Sequence, residues 1–325
     1  MSKDKADANV KLSLPADVSS RAQFSEAVRL FLMDCRFRNL SPMTIEGYHT
    51  YLRSLQRDLD QWGLSLNTLT SKDLTVRMVN EMLEQGFKPN TINGKIRTCQ
   101  QFFKFLHLEG ILDTNLAESL KPIKNERKMV HTFTEEQVQA IMRQPDRKTF
   151  TGLRDYTMML VLLDTGMRVN ELTQMKISHI DFEEKTIHIP MGKGRKFRVV
   201  PIQQTCVNAL KEYLEERGEH EFDDLWVTVF HQPFRRYGVI QMISGHCQKA
   251  GIKGVQGSAH TFRHTFAKFF LMNGGDIFTL QYLLGHTTLE MTRYYVELFS
   301  KDLHKQHEKC SPVEHLAEDL KEEVQ

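Results

Sequence analysis

Three short stretches in the C-terminal half place cationic and proton-transferring side chains where helix packing does not call for them. TGMRVNEL (165–172) closes a helix at Gly166, sets Arg168 just after the turn and Glu171 one turn later. HTFRH (260–264) carries His260 and Arg263 at i and i+3, one face of a helix. LLGHTT (283–288) puts His286 directly after a glycine that ends a helix. Singly, each has a plain structural reading: an Arg–Glu pair, a surface pair, a C-cap histidine. Together they form a chemical set. Two guanidinium forks match the non-bridging oxygens of a phosphate. Two imidazoles can share or pass protons near neutral pH. A glycine-flanked turn, GKGRK (192–196), adds Lys193, with Arg195 and Lys196 beside it. With a tyrosine as nucleophile the set suits phosphoryl transfer from a phosphodiester to a phenol, with cationic side chains meeting the charge that develops. The candidate nucleophiles are an adjacent pair, Tyr294 and Tyr295, in HTTLEMTRYY.

The elements that must hold these residues can be read locally. A capping box at Thr134 and Gln137, with Phe133 and Val138 as its hydrophobic staple, predicts the clean start of a domain. LRDYTMMLVLLDTG reads as a buried helix stopped by Gly166. KTIHIPM alternates, GKGRK turns and FRVVP returns, which predicts a β-hairpin. Helices are expected over about 205–217, 235–250, 260–272, 276–284 and 289–299. The preceding region reads as all helix. Phe24, Ala27, Val28, Phe31 and Leu32 recur at helical spacing. Ser41–Pro42 opens a second helix, striped by Ile45, Tyr48, Leu52, Leu55 and Leu59 and ended by Gly63. A third is expected over 71–85 and a fourth over 90–108, with Ile92, Ile96, Cys99, Phe103 and Leu106 inward. The outer face of the fourth helix is expected to be Asn93, Lys95, Arg97, Gln100, Gln101 and Lys104, which is donor-rich and contains no acid. They fit either a solvated face or a helix laid against DNA, with Lys/Arg on phosphates and Asn/Gln at base edges.

The organisation that follows is a flexible arm (1–20), a helical domain (21–119), a charged linker (120–132), a catalytic domain (133–300) and a tail (301–325). In the tail, Ser311 and Glu314 form a capping box and Val313, Leu316, Leu320 and Val324 form a stripe, predicting a helix in need of a surface. Net charge is +2, but residues 21–128 carry 16 Lys/Arg against 12 Asp/Glu, and the last 25 residues 4 against 7. A mildly basic body with an acidic tail fits a nucleic-acid partner. Five scattered cysteines without a CxxC pair argue against a disulfide framework or a zinc site and for a reducing compartment. There is no secretory h-region, no apolar run of membrane-spanning length, and no nucleotide- or metal-binding motif.

TGMRVNEL, GKGRKFRVVP, HTFRH and LLGHTTLEMTRYY, in this order, closely resemble the tyrosine recombinase (phage-integrase-like) family. Xer-type and transposon-encoded integrases of similar length are the nearest look-alikes, and the resemblance covers about residues 20–300. It implies a mainly α, two-domain fold: a helical core-binding domain plus a mixed α+β catalytic domain with a small β-hairpin. Carried over by position, the site is Arg168, Lys193, His260, Arg263, His286 and Tyr295. In the family the nucleophile follows the Gly-His histidine by nine positions, which selects Tyr295 over Tyr294. Adjacent helical residues diverge by about 100°, so both cannot face one phosphate, and Tyr294 is expected to pack.

The resemblance further implies a site-specific DNA recombinase. Arg168 and Arg263 would hold the non-bridging oxygens, Lys193 would protonate the leaving 5′ oxygen, His260 would handle the tyrosine proton, and His286 would hydrogen-bond the phosphoryl group. No cofactor and no metal are expected. The expected partners are duplex DNA with paired inverted sites and three further copies of the chain in a tetrameric synapse, with room for an accessory DNA-bending protein. A nucleoid-associated, cytoplasmic location without membrane attachment follows. Two other readings use the same residues: a type IB topoisomerase, which relaxes DNA without exchange, and a non-catalytic DNA-binding protein of the same fold.

Overall fold

The computed structural model describes residues 20–125, 131–191, 195–286, 288, 289, 292 and 295. Residues 1–19 of the expected arm, residues 126–130 of the linker, Lys193, Tyr294, residues 296–300 of the expected catalytic domain and the tail (301–325) lie outside the described residues. The chain divides into two compact units, residues 1–128 and 129–325.

The first unit is helical: α1 (Ser20–Phe37), α2 (Pro42–Trp62), α3 (Val79–Glu84) and α4 (Pro89–Leu108). The Ser41 hydroxyl accepts from the Thr44 amide, and Gly63, at φ 68°, closes α2 in the left-handed region that favours glycine. The expected third helix is split, because a π-helical stretch over Asp73–Met78 precedes α3. Phe24, Ala27, Phe31, Leu52, Leu55, Leu59, Ile92, Ile96, Cys99, Phe103 and Leu106 are all buried in one core, as their spacing predicts.

The polar positions of α4 require a correction. Asn93 and Lys95 are buried, at 8% and 2% exposure, and do not sit on an outer face. Lys95 donates to the Ser54 hydroxyl at 3.0 Å and pairs with Asp58. Asn93 clamps the chain at Ile123, donating to its carbonyl at 3.0 Å and accepting from its amide at 2.8 Å. Gln100 donates to the Leu120 carbonyl at 2.6 Å. The physical reason is that α4 is wrapped by neighbours around most of its circumference: Thr98, Phe102 and Phe105 are buried as well. Arg97, Gln101 and Lys104 are the members of the set that face solvent.

Burial pushes the Asp58 carboxyl above its ordinary value even with Lys95 beside it. Lys95→Ala is therefore expected to destabilise the first unit by about 3 kcal/mol, by leaving a half-enclosed carboxylate without its cation. Because Lys95 does not face a phosphate, the slope of DNA affinity against salt should stay as it is. Urea unfolding and a salt titration of binding check both halves of this expectation.

The second unit begins at α5 (Glu135–Met142), where the Thr134–Gln137 capping box is formed in both directions. α6 (Phe150–Thr165) runs through the core, with Met158, Met159, Val161 and Leu162 wholly buried. It ends at Gly166, where φ is 61° and an added Cβ would come within 2.4 Å of the Phe266 ring, so glycine is required twice over. After α7 (Val169–Thr173) comes a three-stranded antiparallel sheet: β1 (Ile180–Asp181), β2 (Thr186–Met191) and β3 (Arg195–Pro201). The predicted hairpin is β2–β3, with Ile187 opposite Val200 and Ile189 opposite Arg198. β1 is an addition too short to leave a sequence signal. α8 (Gln204–Arg217), α9 (Arg236–Lys249), α10 (Ala259–Met272) and α11 (Ile277–Leu284) follow, and the helix expected over 289–299 lies mostly outside the described residues. Among the described residues no helix is long and apolar enough to cross a membrane.

Candidate active site

The site is assembled at the C-terminal end of α11. The last carbonyls of a helix have no partner within it and carry the negative end of its dipole, so they attract cations. Three arginines from three elements converge there. Arg198 Nε donates to the Leu283 carbonyl at 2.9 Å. Arg263 Nη2 donates to the Leu284 carbonyl at 2.7 Å, while its Nη1 donates to the Gly166 carbonyl at 2.8 Å. Arg168 approaches the Leu284 and Gly285 carbonyls at 3.4 and 3.5 Å. Gly285 is left-handed at φ 62°, and an added Cβ would stand 3.0 Å from Arg198 Nη1.

Glu171 ties the first and third of these arginines together. Its carboxylate takes both terminal amines of Arg198, at 3.0 and 2.7 Å, and accepts from the Arg168 amide at 2.7 Å and from Arg168 Nη1 at 3.1 Å. Burial pushes this carboxyl up, but the Arg198 fork and then Arg168 outweigh it, so it sits below the usual carboxylate range. The Arg168 side chain is 40% exposed and Arg263 only 2%. A guanidinium has five N–H donors, so both keep donors beyond those spent on the scaffold. Burial, then the charge of Arg168, brings Arg263 down to about 10, which leaves it cationic at neutral pH.

The histidines and Tyr295 gather beside these arginines. His286 follows the α11 cap; its amide donates to the Gln281 carbonyl at 3.1 Å and its Nδ1 lies 2.9 Å from the Thr292 hydroxyl. Its ring is parallel to that of Tyr295, with centroids 6.2 Å apart. Burial, followed by Arg263 and Arg168, lowers His286 to about 4. His260 is exposed and is held below its ordinary value by partial burial and by Arg263 and Arg168. Tyr295 is 4% exposed and packs with Ala267, Leu280 and Leu284.

Arg168, His260, Arg263, His286 and Tyr295 are thus brought together, while Lys193 lies outside the described residues. Two polar residues here were not singled out from the sequence. Arg198 could have been found from the strand period: it shares a face with the buried Val200, two residues on. His264, whose Nδ1 is 2.6 Å from the Tyr295 hydroxyl, is the last letter of HTFRH and lies one helical turn after His260. Among the described residues no group of three or more His, Cys, Asp or Glu side chains is gathered where it could hold a metal ion.

Comparison with known proteins identifies the family. The phage integrase family pattern matches residues 131–301, and the phage integrase N-terminal SAM-like domain matches residues 31–110. The tyrosine recombinase XerA of Thermococcus kodakarensis is 31% identical over 283 residues, covering 85% of this chain and 92% of that protein. The tyrosine recombinase XerC of Staphylococcus haemolyticus is 30% identical over 274 residues, covering 82% and 90%. In fold, the chain is similar to the XerH site-specific recombinase bound to a palindromic difH substrate in a post-cleavage complex. The TM-score is 0.70 at 20% identity, covering 91% of this chain and 86% of that one. With its catalytic pattern matched over more than half its length and its relatives matched nearly end to end, this chain belongs to the phage integrase family of tyrosine recombinases.

Proposed function

We propose that this recombinase cuts and rejoins duplex DNA through a 3′-phosphotyrosyl bond on Tyr295, passing through a Holliday junction to integrate, excise or resolve DNA. The observation that carries the reading is the convergence of Arg168, Arg263, His286 and Tyr295 on the end of α11. The Tyr295 oxygen attacks phosphorus and the 5′ oxygen leaves. Arg168 and Arg263 hold the non-bridging oxygens as charge builds on them, and His286 hydrogen-bonds the phosphoryl group. Lys193 protonates the 5′ oxygen. The phosphotyrosyl bond conserves the energy of the phosphodiester, so rejoining needs no ATP.

In the same reading the substrate carries two inverted binding sites, four protomers form the synapse, and an accessory bending protein fits the assembly. Arg97, Gln101 and Lys104, exposed on α4, are available to DNA. The tail from Ser311 docks on a neighbouring protomer and couples the active sites. The protein acts in the cytoplasm, at the nucleoid.

The test uses a target recovered by binding selection from random duplex DNA. A nicked suicide substrate should trap a covalent adduct, and two sites should exchange strands. Relaxation of supercoils without exchange would overturn the reading in favour of a topoisomerase, and binding without an adduct would leave a DNA-binding protein only. Lys193→Ala should slow cleavage of a normal phosphodiester by about 10²–10⁴-fold, the usual contribution of a positioned acid. It should recover on a substrate with a 5′-bridging sulfur, whose departure needs no proton. Absence of recovery would move the role to Lys196 or make it purely electrostatic.

A further inference from the structure

Attack by Tyr295 requires a destination for the phenolic proton. His260, the residue given that task by family position, is exposed on α10, with its ring set edge-on against His264 at 4.5 Å between centroids. His264 is the ring next to the nucleophile: its Nδ1 is 2.6 Å from the Tyr295 hydroxyl, and the two ring centroids are 5.5 Å apart. The three rings form a row from solvent inward, with His260 exposed, His264 half-buried and Tyr295 4% exposed.

Resting on the reading of Tyr295 as nucleophile, we propose that His264 is a catalytic residue, the proton acceptor for Tyr295 in cleavage and the donor that returns the proton in rejoining. The neutral ring carries its proton on Nε2 and presents the Nδ1 lone pair to the phenol. As the Tyr295 oxygen bonds to phosphorus, its O–H bond breaks and an N–H bond forms at Nδ1, while the P–O5′ bond breaks and the leaving oxygen takes its proton from the separate acid. Rejoining reverses each change, so proton and electron pair balance over the cycle.

The surroundings of His264 fit a base that strengthens when substrate is seated. The groups facing it are His260 and Arg263 on its own helix, His286 beyond α11, and Tyr295. Burial, then His260 and Arg263, lowers it to about 4, so at neutral pH the ring is uncharged and able to accept. A phosphodiester held by Arg168 and Arg263 brings a negative charge that offsets the Arg263 repulsion and favours the imidazolium. The acceptor therefore gains basicity when there is a phosphate to attack.

The experiment is single-turnover cleavage of the suicide substrate at saturating protein from pH 3.5 to 9, a window that reaches below the His264 value of about 4. The chains compared are the parent, His264→Asn, His264→Gln, and the parent and His264→Asn carrying 3,5-difluorotyrosine at position 295. His264→Asn and His264→Gln should bind DNA normally and cleave about 10²–10³-fold more slowly. The parent rate should fall on the acid side as the acceptor protonates, and the variants should lack that limb. The more acidic fluorinated phenol should restore roughly tenfold or more in His264→Asn and change the parent little. Cleavage by His264→Asn within a few-fold of the parent, or absence of rescue by the fluorinated phenol, overturns the proposal. Should both variants fail to bind DNA, the parent alone decides. Its acid limb must stay in place when Tyr295 is exchanged for difluorotyrosine, and a limb that moves with the phenol refutes the assignment. Mass spectrometry of the adduct separates the two levels. If no adduct forms at Tyr295, the nucleophile reading fails and this proposal with it. An adduct at Tyr295 with a fast His264→Asn sinks the role of His264 alone.

Discussion

Tyr295→Phe is expected to give a protein that folds, binds its DNA site as tightly as the parent, and forms no covalent adduct with it. The side chain lies among Ala267, Leu280 and Leu284, which accept a phenyl ring as readily as a phenol. The loss in the folded protein includes the contact between the hydroxyl and His264 Nδ1, worth about 1 kcal/mol net. What is lost in catalysis is the attacking atom, for which the site has no replacement at that position. Gel shift and denaturing electrophoresis of the suicide complex read the two effects separately. Tyr294→Phe should still cleave. An inert Tyr294→Phe together with an adduct-forming Tyr295→Phe would transfer the role to the neighbouring residue.

Arg198→Met should be the most destabilising single change around the site, at about 3 kcal/mol, the low end of the range for breaking a buried pair from one side. The substitution leaves the Leu283 carbonyl without its donor and strips two hydrogen bonds from Glu171, which keeps only Arg168. The midpoint of urea unfolding of the second unit should fall with little change in slope. Cleavage at a temperature where the variant is folded should also drop, by on the order of 10²-fold, because Arg168 is held by a carboxylate that has lost its own anchor. Arg198→Lys keeps a charge but not the fork and should fall between the two.

The pH dependence of that destabilisation has a definite sign. Glu171 is held below the ordinary carboxylate range in the folded parent, so its contribution is present above the unfolded value of about 4.3 and is lost as pH falls through the folded one. In the variant the buried, poorly paired carboxylate is relieved by protonation. The stability gap between the two proteins should therefore narrow towards pH 4. A gap that widens on acidification would show that Glu171 is not the residue Arg198 supports.

Local physics made much of the architecture legible in the sequence. The Ser41 cap, the Thr134–Gln137 box, the left-handed stops at Gly63 and Gly166 and the alternation of Ile187 and Ile189 each act over a few residues. The motif residues Arg168, His260, Arg263 and His286 were legible because capped turns and helical spacing announce where a polar side chain has no packing reason to be.

Tertiary structure decided the rest. Periodicity names the apolar stripe of a helix but not how many neighbours surround it, so Lys95, 37 residues from Asp58, could be taken for a surface cation. Arg198 meets a carbonyl 85 residues away, and His264 meets a hydroxyl 31 residues away. Such meetings are set by how α10, α11 and the sheet pack on the core beneath them. The carbonyls at the end of α11 take whichever donors that packing delivers, and no local pattern in the chain records which those will be.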